Sequence, residues 1–381
     1  MTKHAALFEP FDCGKLSLAN RIVMAPCTRL MSPGYVPGPE VAAYYRRRVE
    51  GGAGLILSEG TTIDHPSANA YEGVPAFHGE ASLAGWRNVV SEIHDAGGKF
   101  IPQLWHVGSF RQEDSQPHPG TPAVSASGWH SADQAHGKAM TQADIDDVIA
   151  SYARAARSAQ ETGCDGVEIH GAHGYLIDNF FWKVTNRRED HYGGSLENRV
   201  RFAVEIVEAV RDAVGESFPI LFRFSQWKQV DYGARVVENV QELETWLLLL
   251  AEAGVDVFDA SIRRFWEPAF EGSSLNLAGW ARKITGKPSI AVGSVGLDTD
   301  MAGQKIDLPD LSKTPALEEM FMHDTGTSSL DRLVEKMESS EFDLIAVGRA
   351  MLADPQWANK IRNEDYASLQ PYKKENLFSL T

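Results

Sequence analysis

The sequence predicts an α/β chain whose eight parallel strands close into a (β/α)8 TIM barrel, with an N-terminal hairpin lid and long strand-end loops. Three observations predict it. Eight short apolar runs recur along the chain, several of them continuous, as expected of parallel strands covered on their outer face. Amphipathic stretches separate them, as helices would. No glycine fingerprint follows the first run, which leads into Ala25-Pro26-Cys27-Thr28, so an open doubly wound sheet is disfavoured.

The elements follow in order. The segment before Asn20 carries Leu7, Phe8, Leu16 and Leu18 around Asp12-Cys13-Gly14, and reads as a hairpin that closes the bottom of the barrel. Strands are expected at 22–25, 55–58, 100–104, 166–169, 220–224, 257–260, 289–292 and 344–347. The clearest helix follows Thr141: Ile145, Val148, Ile149, Tyr152, Ala156 and Ala159 share one face. Thr141 and Asp144 have the spacing of a capping box, and Gly163 is placed to end the helix. The polar, irregular stretch 301–329 reads as an excursion between the seventh and eighth strands. No linker stands out, so residues 1–381 are expected to form one domain.

Composition narrows the partners. Of 381 residues, 43% are hydrophobic and 23% charged, ordinary for a soluble globular chain. No stretch has the length and apolarity of a membrane span, and the start lacks the apolar run of a signal peptide, so a cytoplasmic location is expected. Cys13, Cys27 and Cys164 are odd in number and far apart, which argues against a zinc site, an iron–sulfur site or a disulfide framework. A formal net charge of −16 repels nucleic acid and anionic membranes, leaving a small molecule as the expected partner. Oligomeric state is left open, with the tail 372–381 or an exposed face available for a homo-oligomer.

Chemistry belongs at the C-terminal ends of such strands. Pro26, Cys27 and Thr28 follow the first, and Glu59 and Gly60 the second. The third ends in Gln103-Leu104-Trp105-His106 and the fourth in His170-Gly171-Ala172-His173-Gly174-Tyr175. Arg223 lies on the fifth; Ser261, Arg263, Arg264 and Trp266 follow the sixth; Gly293-Ser294 and Gly348-Arg349 end the last two. Those last glycines let backbone N–H groups approach an anion, and Arg349 adds a fork for phosphate oxygens. His170 and His173 form His-x-x-His, which spacing alone leaves open between structural, catalytic and metal-binding roles. A zinc site would need a third ligand, with Asp165, Glu168 and Asp178 nearby.

Several stretches carry a resemblance. They are Asn20-Arg21-Ile22-Val23-Met24-Ala25-Pro26, Gln103-Leu104-Trp105-His106, Glu168 to Leu176, Asn186-Arg187-Arg188, Tyr192 to Arg199 and Ala346-Val347-Gly348-Arg349. Over nearly its whole length the chain resembles the old yellow enzyme family of FMN-dependent ene-reductases. The resemblance implies FMN, with NADPH or NADH as reductant. It places Ala25, Pro26, Cys27 and Gly60 beneath the flavin ring, Thr28 at its C4 carbonyl, Gln103 on its pyrimidine edge, and Arg223 near N1 and the C2 carbonyl. Gly293, Ser294, Gly348 and Arg349 would hold the phosphate. His170, which also borders the flavin, and His173 would donate hydrogen bonds to a carbonyl, nitro or phenolate oxygen, and Tyr175 would protonate the α-carbon, directly or through water. Trp105 and Trp266, with Phe110, Phe270 and Tyr35, are candidates for an apolar substrate wall. Asn186, Arg187, Asp190 and Arg199 are expected to brace the long loop after the fourth strand. The resulting expectation is a ping-pong reductase of electron-poor alkenes, nitro compounds included. The alternatives are a barrel-only N-methyl amine demethylase, a metal-dependent hydrolase and a non-enzymatic flavin carrier.

Overall fold

Each of the eight apolar runs forms a strand, and the strands pair in parallel into a closed barrel. They are β1 (Ile22–Met24), β2 (Leu55–Thr62), β3 (Lys99–Trp105), β4 (Val167–His173), β5 (Ile220–Lys228), β6 (Val257–Ser261), β7 (Ser289–Val292) and β8 (Leu344–Val347). β8 pairs with β1, bringing Ile345 opposite Ile22 and closing the ring. The longer helices outside it are α1 (Pro39–Glu50), α2 (Glu80–Asp95), α3 (Gln142–Glu161), α4 (Leu196–Val214), α5 (Val240–Ala253), α6 (Leu277–Thr285) and α7 (Ser328–Glu338). This computed structural model describes residues 3–297 and 328–381; the expected excursion over 301–329 lies, but for its last two residues, outside them. No helix among the described residues is long and apolar enough to cross a membrane.

The interior divides into two levels. At the N-terminal end Val23, Leu55, Leu57, Ile101, Leu221, Val257, Ile290 and Leu344 point inward and form one buried cluster. Phe11, Leu16 and Leu18 join it from the antiparallel pair Phe11–Asp12 and Ser17–Leu18, so the N-terminal hairpin is a plug for the barrel floor. Its turn needs Gly14, whose φ is +82°, and Asp12 Oδ1 accepts the Gly14 N–H at 2.7 Å. Burying each of the three apolar plug residues contributes about 2 kcal/mol. Outward-facing strand residues pack on the helices in a second, larger cluster.

The helix signals read as expected. Thr141 and Asp144 form a reciprocal capping box at the start of α3, and Gly163, with φ +86°, lies just past its C-cap. Ser195, Asn239 and Asn276 cap α4, α5 and α6 through side-chain oxygens. The brace after β4 also forms: Asn186 Nδ2 donates to the carbonyls of Phe180 and Tyr192, both at 2.7 Å, and Arg199 Nε to that of Phe181 at 2.7 Å.

One feature departs from the sequence reading. β2 runs on to Thr62, β3 to Trp105, β4 to His173 and β5 to Lys228, beyond the ends of the apolar runs. These extensions are polar, yet most of their residues are buried around the barrel mouth. The register shifts between Leu57 and Gly60 on β2 and between Gly171 and His173 on β4. Such irregularities re-aim side chains, and here they turn the strand ends into one wall.

Candidate active site

A cavity of about 670 Å³ opens at the C-terminal end of the barrel, and residues on or just past all eight strands line it. Pro26, Cys27 and Thr28 leave β1 along its floor. Glu59, fully buried on β2, holds that segment: its Oε2 accepts the N–H groups of Arg29 at 2.8 Å and Leu30 at 3.4 Å. Burial pushes the Glu59 carboxyl up to about 7. The neighbouring Gly60 cannot carry a side chain, because a Cβ there would lie 2.6 Å from Trp105 Cε3.

Four polar side chains on consecutive strands lie at the next level. Gln103 Nε2 donates to Glu168 Oε1 at 2.6 Å, and Arg223 Nη1 forms an ion pair with Asp259 Oδ2. Gln103 and Arg223 reach the cavity; Glu168 and Asp259 stand behind them, fully buried. Desolvation, and then Asp259 beside it, push the Glu168 carboxyl well above the usual range.

His170, His173 and Tyr175 converge on one side. The His170 ring lies 5.2 Å from His173 and 5.1 Å from Tyr175, nearly perpendicular to both. The Ala172 N–H donates to His170 Nδ1 at 3.3 Å, so the proton of a neutral His170 sits on Nε2. Burial, with the nearby Arg223 cation, holds His170 well below the ordinary histidine value; burial and the adjacent His170 do the same for His173. His173 adopts φ +66° and Gly174 φ +88°. Asp178 fixes that turn by accepting the Gly174 N–H at 2.6 Å, and is itself paired with Lys228 at 2.7 Å. The Trp227 ring stacks on His173 at 4.3 Å, and His173 Nε2 lies 2.7 Å from Ser261 Oγ. Burial pushes the Tyr175 hydroxyl up to about 12, with the nearby Gln229 and Tyr71 holding it back.

The opposite end is shaped for an anion. A Cβ at Gly293 would lie 2.2 Å from the Ile262 carbonyl oxygen, Ser294 has φ +53°, and Arg349 lines the wall beside them. Several expected site residues lie off the wall, Tyr35 among them. Ala25 is buried in the barrel interior, its N–H donating to Val347 O at 3.0 Å. Gly348 backs onto Cys27, since a Cβ there would come 3.5 Å from Cys27 Sγ. Trp266 meets Phe265 edge-on and packs on the core instead of the cavity. Phe270 packs against Trp280, and Phe110 packs behind the wall, its ring 4.8 Å from that of Tyr175.

Sequence reasoning missed several wall residues: Arg29, Tyr71, Trp227, Gln229 and Tyr232, and Lys374, Leu377 and Phe378 of the tail. The tail, offered by the sequence as an interface, lies across the mouth. Arg29 Nη2 donates to the carbonyls of Asn376 at 2.6 Å and Ser379 at 2.5 Å, and Arg48 to that of Thr381. Among the described residues no three His, Cys, Asp or Glu side chains are grouped to hold a metal ion.

Comparison with known proteins bears on this geometry. The signature of the NADH:flavin oxidoreductase / NADH oxidase family matches residues 6–308. A putative 12-oxophytodienoate reductase 2 of Oryza sativa subsp. japonica is 41% identical over 55% of this chain and 56% of its own length, so the chain matches little more than half of that relative. A chanoclavine-I aldehyde reductase of Penicillium roqueforti (strain FM164) is 36% identical over 81% of this chain and 82% of its own. Among solved structures, morphinone reductase in complex with tetrahydroNAD superposes with a TM-score of 0.79, at 28% identity over 98% of this chain and 94% of that one. An old yellow enzyme homologue from Zymomonas mobilis gives 0.76, at 25% identity over 99% and 97%.

Proposed function

This chain belongs to the NADH:flavin oxidoreductase / NADH oxidase family, the old yellow enzyme family that its motifs resemble, and on that premise we propose that it reduces electron-poor alkenes with NADPH or NADH by ping-pong turnover. The acceptors are enones first, and nitro compounds after them. The reading takes residues 1–381 as one flavin-binding unit.

The residues present fit FMN. The Gly293–Ser294 turn has no room for a Cβ at its glycine and stands beside Arg349, a cradle suited to a phosphate. Gly60 leaves a flat surface against Trp105 where any side chain would intrude. Thr28, Gln103 and Arg223 add a hydroxyl, an amide and a cation along the wall between, the donor set that a flavin pyrimidine edge uses. When bound, FMN supplies a two-electron carrier that the nicotinamide reduces and the acceptor reoxidises.

The observation that carries the reading is the state of three side chains around one point. His170 is neutral, with its proton on Nε2, a donor for an acceptor oxygen. Charge grows on that oxygen as hydride reaches the β-carbon, and a fixed donor stabilises it most at that moment. His173 stands perpendicular to His170, and the acceptor oxygen competes with Ser261 for its Nε2. Tyr175 keeps its proton at neutral pH and is placed to deliver it to the α-carbon. Trp105 and Trp227 give the acceptor apolar flanks.

The test is spectroscopic. The purified protein should be yellow, bleach with NADPH or NADH, and recover its colour with 2-cyclohexenone. Bleaching by an N-methyl amine, without reaction toward either nicotinamide, would replace this reading with oxidative demethylation. His170→Ala should weaken phenol binding to the oxidised protein at least tenfold, about 1.4 kcal/mol; an unchanged affinity would remove His170 from the site.

A further inference from the structure

The cluster beneath the cavity holds more acid than its cation balances. Gln103, Glu168, Arg223 and Asp259 come from β3, β4, β5 and β6, four neighbouring strands. Register sets Gln103 opposite Glu168, and Arg223 opposite Asp259 on one side and His170 on the other. Glu168 and Asp259 are both 0% exposed. One oxygen of each is engaged, Glu168 Oε1 by Gln103 and Asp259 Oδ2 by Arg223. The remaining oxygens, Glu168 Oε2 and Asp259 Oδ1, meet no side-chain or backbone donor. The two carboxyl groups also act on each other, Asp259 holding the Glu168 carboxyl further above its ordinary range.

An ionised carboxylate can only accept, so with both acids ionised these two buried oxygens have no donor between them. A proton on one of them supplies it. With it, two acids, one guanidinium and one proton sum to zero charge. Without it, a net negative charge would lie in the dry barrel interior, which burial strongly disfavours. His170 adds no cation, because burial holds it neutral.

We propose that Glu168 carries a proton shared with Asp259, and that this acid pair moderates the Arg223 cation facing the flavin, and so sets how readily the bound FMN is reduced. Both acids act through Arg223 and Gln103, as positioning residues. The proposal rests on FMN occupying this cavity and is independent of the acceptor. Asp259→Asn leaves the guanidinium uncompensated, and an uncompensated cation favours the reduced flavin. Glu168→Gln keeps an acceptor for Gln103 and a neutral donor for Asp259, so it preserves the charge while removing the proton-bearing acid.

Two measurements test it. Infrared spectra of flavin-free protein are compared between wild type and Glu168→Gln at mildly alkaline pH, where Glu59, pushed up to about 7, has ionised. Wild type should show the carbonyl stretch of an un-ionised carboxylic acid and the variant should lose it; identical spectra would overturn the shared proton. Midpoint potentials of the FMN-loaded proteins come from dye-equilibrated titration. Asp259→Asn should shift to a more positive potential while Glu168→Gln stays near wild type. No shift in Asp259→Asn, or an equal shift in both, would overturn the tuning. If Asp259→Asn fails to fold, Asp259→Glu replaces it: a restored carboxylate should hold the potential near wild type, and a large positive shift would count against the pairing. Failure to reduce enones would leave both measurements intact.

Discussion

Replacing Asp178 with asparagine should destabilise the barrel mouth far more than the loss of one hydrogen bond suggests. Asp178 and Lys228 are both fully buried and form an ion pair at 2.7 Å. Without the carboxylate, the Lys228 ammonium keeps only the Ser225 carbonyl at 3.4 Å. Breaking a buried pair from one side costs about 3–5 kcal/mol. Unfolding entropy near 60 °C is about 2.1 cal/mol/K per residue, so over 381 residues this corresponds to a fall in Tm of about 4–6 °C. Lys228→Met should cost less, because Asp178 keeps the Gly174 N–H and can take up a proton. Its carboxyl is already pushed up to about 6 by burial, above the ordinary 3.8. A raised folded value means that protonation favours the fold, and that this contribution is lost as pH rises through the folded value. Without Lys228, which holds that value down, the proton is taken up at higher pH, so the cost of Lys228→Met should shrink as pH falls toward 6. The double variant Asp178→Asn with Lys228→Met should recover part of the single loss. Thermal and urea unfolding of all four proteins, followed by circular dichroism, form the cycle. An Asp178→Asn loss below about 1 kcal/mol, or a double variant at the sum of the singles, would refute the buried-charge argument.

Three further outcomes are expected. His170 is held below its ordinary 6.5 by burial, so the stability it contributes is complete above that pH and is lost as pH falls below it. His170→Asn should flatten the pH dependence of urea unfolding below pH 6.5 by up to about 1.4 kcal/mol per pH unit; parallel curves for variant and wild type would contradict this. Gly60→Ala forces Trp105 off the strand, and FMN affinity by fluorescence quenching should fall at least tenfold, about 1.4 kcal/mol; wild-type affinity would show that the ring relaxes harmlessly. Thr141→Ala removes the bond from the Asp144 N–H to Thr141 Oγ1, leaves the one from the Thr141 N–H to Asp144 Oδ2, and should cost about 1 kcal/mol, with turnover unchanged; equal unfolding midpoints would show the cap to be redundant.

The barrel was legible because its strands are continuous apolar runs, and parallel strands buried on both faces leave that trace. The strand ends were not, for the same reason. Glu59 to Thr62 and Ser225 to Lys228 are mostly polar and mostly buried at a mouth, and apolar patterning is blind to them. His170, His173, Gln103 and Arg223 could be found because motifs place them at strand ends. Tyr71 and Tyr232 lie on longer loops whose packing depends on partners distant in sequence, and Trp227 lies on the extension of β5. The tail residues reach the cavity through carbonyls held by Arg29, Arg47 and Arg48, bonds that no local pattern records. Trp266 packs on the core, since sequence proximity to a strand end does not decide which way a loop side chain turns. Glu168 and Asp259 did leave a signal: a carboxylate inside an apolar strand needs a partner, and each has one on the neighbouring strand.

The pairing of β8 with β1 has a consequence for how the chain reaches this state. Ile22 waits for Ile345 across nearly the whole length of the chain. During synthesis β1 can acquire β2 on one side early, but its other edge stays unpaired until the last strand is made. The plug hairpin has little to seat on before then, because its apolar side chains pack among residues from seven strands, β1 included. Such long-range closure makes folding slow and leaves an open strand edge as a template for wrong partners. A nascent barrel of this kind would depend on help to stay unassociated, and refolding yield should fall steeply with protein concentration.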